Sequence, residues 1–149
     1  MVCLGNICRS PLAHGILESK VKKKNLDWFI DSAGTGDWHK GESPDRRAIV
    51  EAQRNSINIC DQRARQITQS DFEDFDLILA MDTSNFNNVM DLSPEEYKYK
   101  IEMIMNYAQE GKNMSVPDPY YDGRFSYVFE LLDQATDALL TKLLEEELV

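Results

Sequence analysis

Leu12, Ala13, Ile16, Leu17 and Val21 recur at helical spacing and predict a first helix from about Pro11 to Lys24. Ser10 and Pro11 supply its start signal, with proline at the first helical position. Trp28-Phe29-Ile30 reads as a short buried strand closed by Asp31-Ser32-Ala33-Gly34, and Thr35 to Glu42 as a polar loop. Ser43-Pro44 repeats the start signal and predicts a helix from Pro44 to about Asn55, with Ala48, Ile49 and Ala52 inward. Ser70-Asp71-Phe72-Glu73 and Ser93-Pro94-Glu95-Glu96 both match a capping box. Between them, Phe75 to Met81 is the clearest strand, because Leu77-Ile78-Leu79-Ala80 is apolar throughout, as in a strand covered on both faces. Ile101, Met103 and Met105 alternate and predict a strand over Tyr99 to Met105. Pro117-Asp118-Pro119 must be a loop. A last helix from about Arg124 to Glu146 carries the longest stripe: Phe125, Val128, Phe129, Leu132, Ala135, Leu139, Leu140 and Leu143.

Strands alternating with helices imply an α/β fold with a parallel sheet and right-handed crossovers. Ligands of such sheets bind beyond the carboxyl ends of the strands. The 149 residues suit a single domain, 1–149, and a 42% hydrophobic content is too high for intrinsic disorder. No apolar run approaches the roughly 18 residues of a membrane span, so no membrane insertion is expected. With 26 acidic against 16 basic residues the net charge is −10, which argues against nucleic acid as a partner. An anionic substrate must then be held by a local positive site on a negative body. Three cysteines, Cys3, Cys8 and Cys60, are too few and odd in number for a disulfide framework. The early residues lack the apolar stretch of a signal peptide, and a cytoplasmic protein is expected.

The chemistry concentrates in Cys3-Leu4-Gly5-Asn6-Ile7-Cys8-Arg9-Ser10, which leads straight into the first helix. Successive amides in such a loop can point at an oxyanion. Gly5 allows a backbone twist, Asn6 tolerates the left-handed region and can pin the loop, and Arg9 offers a fork matching two phosphate oxygens. Helix terminus and cation are the two influences that turn a cysteine into a thiolate nucleophile, and both are expected at Cys3. If the loop centres a phosphorus atom, Cys3 attacks it in line and forms a phosphocysteine. A Cys-x5-Arg spacing alone is weak, and a lone cysteine is more often a small core residue. The Gly and Asn inside the loop and the Ser-Pro helix start raise the catalytic reading. Cys8 has two readings, a packing residue or a reversible disulfide partner that shields Cys3 from oxidation.

A phosphate ester also gains from protonation of its departing oxygen. Val116-Pro117-Asp118-Pro119-Tyr120-Tyr121 offers an acid in Asp118, stiffened by two prolines, with Tyr120 and Tyr121 able to wall a slot for a flat ring. Alone, the segment would be a solvated turn.

Val2 to Pro11 closely resembles the signature of the low molecular weight protein tyrosine phosphatases. Asp31-Ser32-Ala33-Gly34, Asp37-Trp38, Ser43-Pro44-Asp45-Arg46, Ala64-Arg65-Gln66, Met81-Asp82 and Asp118-Pro119-Tyr120-Tyr121 follow in family order, so the resemblance covers nearly the whole chain. It implies a Rossmann-like four-stranded parallel sheet flanked by helices on both faces. It further implies hydrolysis of phosphotyrosine in protein substrates, with no metal and no cofactor. By resemblance Cys3 is the nucleophile, Arg9 binds phosphate and stabilises the transition state, and Asp118 is the general acid and then the base. Leu4, Gly5, Asn6, Ile7 and Cys8 complete the phosphate loop. Ser10 bonds the thiolate, and Asn6 and Ser32 hold the loop and Ser10. Trp38, Tyr120 and Tyr121 wall the aromatic pocket, and Asp82 contacts the Arg. A monomer or weak dimer is expected.

Two departures stand out. Family members commonly carry His near the position of Gln62, where it supports the loop network, and Gln62 cannot carry a charge. The sequence also begins only two residues before Cys3, so either the first strand is clipped at its start or Met1 is not the natural beginning. Arsenate reduction on the same fold needs a relay of further cysteines, and Asp74 to Val89 holds none. Phospho-arginine phosphatases tend to have Thr where Ile7 stands. A phosphate-binding module without turnover would need neither thiol nor acid. His14 is expected on the helix surface, His39 near the pocket mouth, and Glu145-Glu146-Glu147 in a frayed tail.

Overall fold

Four short strands, β1 (Val2–Cys3), β2 (Ala33–Gly34), β3 (Ile78–Ala80) and β4 (Ile101–Met103), form one parallel sheet in the order β2-β1-β3-β4. The computed structural model describes residues 1–147. Helices α1 (Arg9–Lys23), α2 (Arg46–Arg54), α3 (Gln69–Asp74), α4 (Thr83–Leu92), α5 (Pro119–Asp122) and α6 (Phe125–Glu147) connect and follow the strands.

Alternation along the strands divides the core between two layers. Cys3 and Leu79 pack into a large cluster with residues of α1, α2 and α6, among them Leu12, Ile16, Ala48, Val128 and Leu132. Their neighbours Val2 and Ile78 join Phe72 of α3, Val89 of α4 and Ile101 in a second, smaller cluster. The sheet is therefore covered on both faces, which explains the unbroken apolar run of β3. The apolar stripes of α1 and α6 pack against each other, with Leu143 only half-buried.

Several boundaries differ from expectation, each for a physical reason. Trp28-Phe29-Ile30 is not a strand, and Phe29 is 78% exposed. The parallel register pairs Val2 with Ala33 and Cys3 with Gly34, so the strand beside β1 begins only after residues 28–30, which join no ladder. The segment expected to close that strand is itself β2. β3 is limited to Ile78–Ala80, and β4 stops at Met103, where Ile104–Asn106 turns into a 3-10 segment. Arg9, not Pro11, opens α1. Pro11 still falls in its first turn, where a missing N–H costs no helical bond. Asp45 caps α2 by accepting from the Arg47 amide. The first capping box begins at Thr68 rather than Ser70, with the Thr68 amide donating to Asp71 Oδ2 at 2.8 Å. Ser93-Pro94 makes no side-chain cap, and a 3-10 segment, Glu95–Lys100, follows it. Helix α4 was not expected. Its cap, Asp82, accepts from the Asn85 amide at 2.7 Å. Glu145-Glu146-Glu147 is the exposed last turn of α6, not a frayed tail.

Arg65 ties these elements behind the sheet. It pairs with Asp71 at 2.9 Å and with Asp31 at 3.2 Å. Burial raises the Asp71 carboxyl, but Arg65 and the Thr68 amide outweigh it and hold the group below the usual carboxylate range. A depressed folded-state pKa contributes stability above the unfolded value, lost as pH falls through the folded one. Asp71→Asn is expected to cost about 1–3 kcal/mol at neutral pH by urea denaturation. The gap between variant and wild type should narrow as both are acidified below the usual carboxylate range.

Candidate active site

The carboxyl end of β1 runs directly into the loop from Leu4 to Cys8, and the loop into α1. Its carbonyls are held from outside. The Thr35 and Gly36 amides donate to Cys3 O and Leu4 O, both at 2.9 Å. The Asp45 amide donates to Ile7 O at 2.8 Å, and the Leu12 amide to Cys8 O at 3.2 Å. No peptide bond among the described residues is cis. In a trans peptide the N–H points opposite to its carbonyl. The amides of Leu4, Gly5, Cys8 and Arg9 therefore face away from those donors, toward the hollow of the loop. Asn6 sits in the left-handed region at φ 56°, as expected. Gly5 does not adopt a positive φ; its role is space, since a Cβ there would lie 3.1 Å from the His39 ring.

Cys3 is buried, and its Sγ receives the Asn6 amide at 3.3 Å, with Ser10 Oγ at 3.0 Å. The Asn6 side chain locks the arrangement from behind. Its Nδ2 donates to Ser10 Oγ at 2.8 Å and to Ser32 Oγ at 3.1 Å, while its Oδ1 accepts from the Arg65 amide at 3.0 Å. Arg9 is buried, donates through Nη1 to Asp82 at 2.6 Å and to Val116 O at 3.0 Å, and turns Nη2 toward Asp118 at 3.7 Å. Asp118 also caps α5 by accepting from the Tyr120 amide at 3.0 Å.

These groups open into one pocket of about 330 Å³. Cys3, Leu4, Gly5, Ile7, Cys8 and Arg9 line its base, and Trp38, His39, Asp118, Tyr120 and Tyr121 its walls. Trp38 leans on Gly36, where any side chain would overlap its ring. Tyr120 and Tyr121 meet edge to face at 5.0 Å. The Arg47 guanidinium lies 5.5 Å from the Tyr120 ring centre and 4.8 Å from that of Phe125, fastening the tyrosine segment to α2.

A thiol at the base of an amide-lined loop, an arginine beside it and a carboxylate on the opposite wall match a family pattern along the entire chain. The family model for low molecular weight phosphotyrosine protein phosphatase matches residues 1–148. This chain belongs to the low molecular weight phosphotyrosine protein phosphatase family. It is 40% identical to the low molecular weight phosphotyrosine protein phosphatase of Sus scrofa, over 95% of this chain and 92% of that one. The crystal structure of an Entamoeba histolytica protein tyrosine phosphatase superposes with a TM-score of 0.91 at 37% identity, covering 98% and 96% of the two chains. A Drosophila arginine phosphatase also superposes, with a TM-score of 0.88 at 31% identity over 95% and 94%.

Every site residue singled out in the phosphatase's sequence lies in the pocket or directly behind it, and Asp82 contacts Arg9 as the resemblance implied. His39 lies at the mouth as expected. Cys8 is free and buried in the main core cluster, where burial and then Asp45 push its thiol up. His14 corrects the surface expectation: its ring is buried, with Nδ1 3.1 Å from Ser32 Oγ. Gln62 instead donates to Pro11 O at 3.1 Å, and its Oε1 is buried without a partner. The sequence gives no sign of Arg47, and marks Arg65 only as part of the Ala64-Arg65-Gln66 match, because a cation's partners dozens of residues away leave no local pattern. Asn6→Ala removes the left-handed preference and three side-chain bonds. It should cost about 2–4 kcal/mol in denaturant and weaken competitive inhibition by inorganic phosphate.

Proposed function

We propose that this phosphatase hydrolyses phosphotyrosine in cytoplasmic protein substrates through a phosphocysteine on Cys3. The convergence of Cys3, Arg9 and Asp118 on a single aromatic-walled pocket carries this reading. The dianion sits in the loop, held by its inward amides, while Arg9 grips two of the phosphate oxygens. Asp82 keeps the guanidinium in plane with that task. Trp38, Tyr120 and Tyr121 hold the phenyl ring at the mouth, which sets phosphorus in line with the sulfur of Cys3.

The sulfur attacks phosphorus as the bond to the phenolic oxygen breaks, and Asp118 gives that oxygen its proton. The carboxylate of Asp118 then takes a proton from water attacking the phosphocysteine, and Cys3 leaves as a thiolate. Ser10 donates its hydroxyl hydrogen to that thiolate, which makes the sulfur a better leaving group. Each step uses protein side chains and water alone.

The likeness to an arginine phosphatase supports a second substrate reading, in which a phosphoguanidinium enters the same loop. Ile7 on the pocket base favours the aromatic ester, since it offers an apolar contact where those relatives tend to have a hydroxyl. Comparing kcat/KM on a phosphotyrosine peptide and a phosphoarginine peptide separates the two. Faster turnover of phosphoarginine would replace the substrate and leave the thiol chemistry standing.

With an aryl phosphate and excess chelator, wild type is expected to turn over at its full rate. Cys3→Ser should lose roughly 10⁴-fold or more while still binding phosphate. Arg9→Ala should lose binding and turnover together. Asp118→Ala should lose about 10²–10⁴-fold on poor leaving groups and much less on activated ones. Equal rates in all four proteins would discard the mechanism. Peroxide is expected to oxidise Cys3 and link it to Cys8 reversibly. Mass spectrometry that finds no such linkage would leave Cys8 a packing residue.

A further inference from the structure

We propose that His14 is a positioning residue that ends the hydrogen-bond chain behind Cys3, and that its neutral Nε2–H form sets the direction of every link. The catalytic consequence rests on the role proposed above for Cys3; the hydrogen-bond directions do not.

The directions follow from counting hydrogens. Asn6 Oδ1 accepts from the Arg65 amide, so both hydrogens of Asn6 Nδ2 point the other way, one to Ser10 Oγ and one to Ser32 Oγ. Each serine hydroxyl is thereby an acceptor from Asn6 and has one hydrogen left to donate. For Ser10 the remaining partner is Cys3 Sγ at 3.0 Å. For Ser32 it is His14 Nδ1 at 3.1 Å. Nδ1 must then carry a lone pair, which puts the ring hydrogen on Nε2. That nitrogen faces Glu18 Oε2 at 3.4 Å, a group that only accepts. One orientation therefore satisfies every member from the Arg65 amide to Glu18.

Protonation of Nδ1 reverses the last link. Ser32 Oγ would then meet hydrogens from both His14 and Asn6, and its own hydrogen would lose its acceptor in a buried place. The conflict is relieved only if Asn6, Ser32 or His14 moves, and movement of Asn6 loosens Ser10 against the sulfur. The charged and titratable groups facing the ring are Glu18 on its own helix, Asp31 ahead of β2 with its partner Arg65, and the Met1 amino group, whose pKa burial lowers to about 6. Burial is the largest influence and lowers the histidine pKa. Glu18 and Asp31 oppose it, and the Met1 amino group adds to it. The neutral form therefore prevails at neutral pH, and the chain fails only on the acid side.

This imidazole comes from the second turn of α1, not from the position of Gln62. Gln62 is committed to Pro11 O, with its Oε1 unpartnered.

The test combines ring NMR with pH–rate profiles for wild type, His14→Ala and His14→Asn on an aryl phosphate. The ¹⁵N spectrum of His14 is expected to show the Nε2–H tautomer at pH 7.5 and a midpoint below that of a free histidine. His14→Ala should lower kcat about tenfold with KM changed less than twofold, because an acceptor is lost and not a substrate contact. His14→Asn places Oδ1 where Nδ1 stood. It should recover most of the lost kcat and remove one ionisation from the acid limb. An Nδ1–H tautomer would overturn the proposal, as would a His14→Ala enzyme with the wild-type rate and profile. Should His14→Ala fail to fold, the tautomer and the His14→Asn profile still decide. A wild type with the Nε2–H tautomer but no turnover would sink the phosphatase mechanism and leave the hydrogen-bond assignment intact.

Discussion

For the loop after β1 to receive a dianion, its own carbonyl oxygens must be kept out of the hollow, and the contacts around it meet that constraint. The chain meets it by giving the outward carbonyls partners elsewhere. Thr35 and Gly36 take Cys3 and Leu4, Asp45 takes Ile7, and Leu12 takes Cys8. The amides are then left pointing inward without help from any positively charged side chain except Arg9. This is how a body of net charge −10 can receive an anion. The cost of turning the loop sharply falls on Asn6, whose left-handed backbone is held by its side-chain bonds to Ser10, Ser32 and the Arg65 amide.

The sheet order puts the rest of the site around that loop. β1 lies between β2 and β3, so the segments leaving three adjacent strands meet at one edge. β2 delivers the amides that bind the loop carbonyls and, a few residues on, Trp38. β3 ends at Ala80, and Asp82 follows it to reach Arg9. The Met81 carbonyl accepts from the Val116 amide at 2.8 Å, which brings the strip carrying Asp118 alongside. Arg9 is thereby a buried cation between two carboxylates, Asp82 at 2.6 Å and Asp118 at 3.7 Å.

Much of the site could be read from order along the chain. Cys3 to Ser10 is contiguous, so its chemistry does not depend on knowing what lies opposite. Asp118 needed its two prolines and two tyrosines for context, and all five are adjacent. The fold was legible where a pattern is long, as in α1, α6 and the apolar run of β3. Short elements were misjudged. α4 carries only the short apolar stripe Phe86, Val89 and Met90 and its Asp82 cap as signals. Trp28-Phe29-Ile30 has strand composition but joins no ladder.

Unaided, the residue order pointed to the candidate groups Cys3, Arg9 and Asp118 and to the α/β character, because both arise from neighbours within a few positions or a few turns. Tertiary structure alone decided which distant groups complete the site. Asn6 meets Ser32 across 26 residues and the Arg65 amide across 59, and Arg9 meets Asp82 across 73. Such pairings depend on register and crossing, which no local pattern records. His14 is the sharpest case. Helical spacing left it on an outer face, and only the approach of Ser32 and the segment ahead of β2 buried it against the loop.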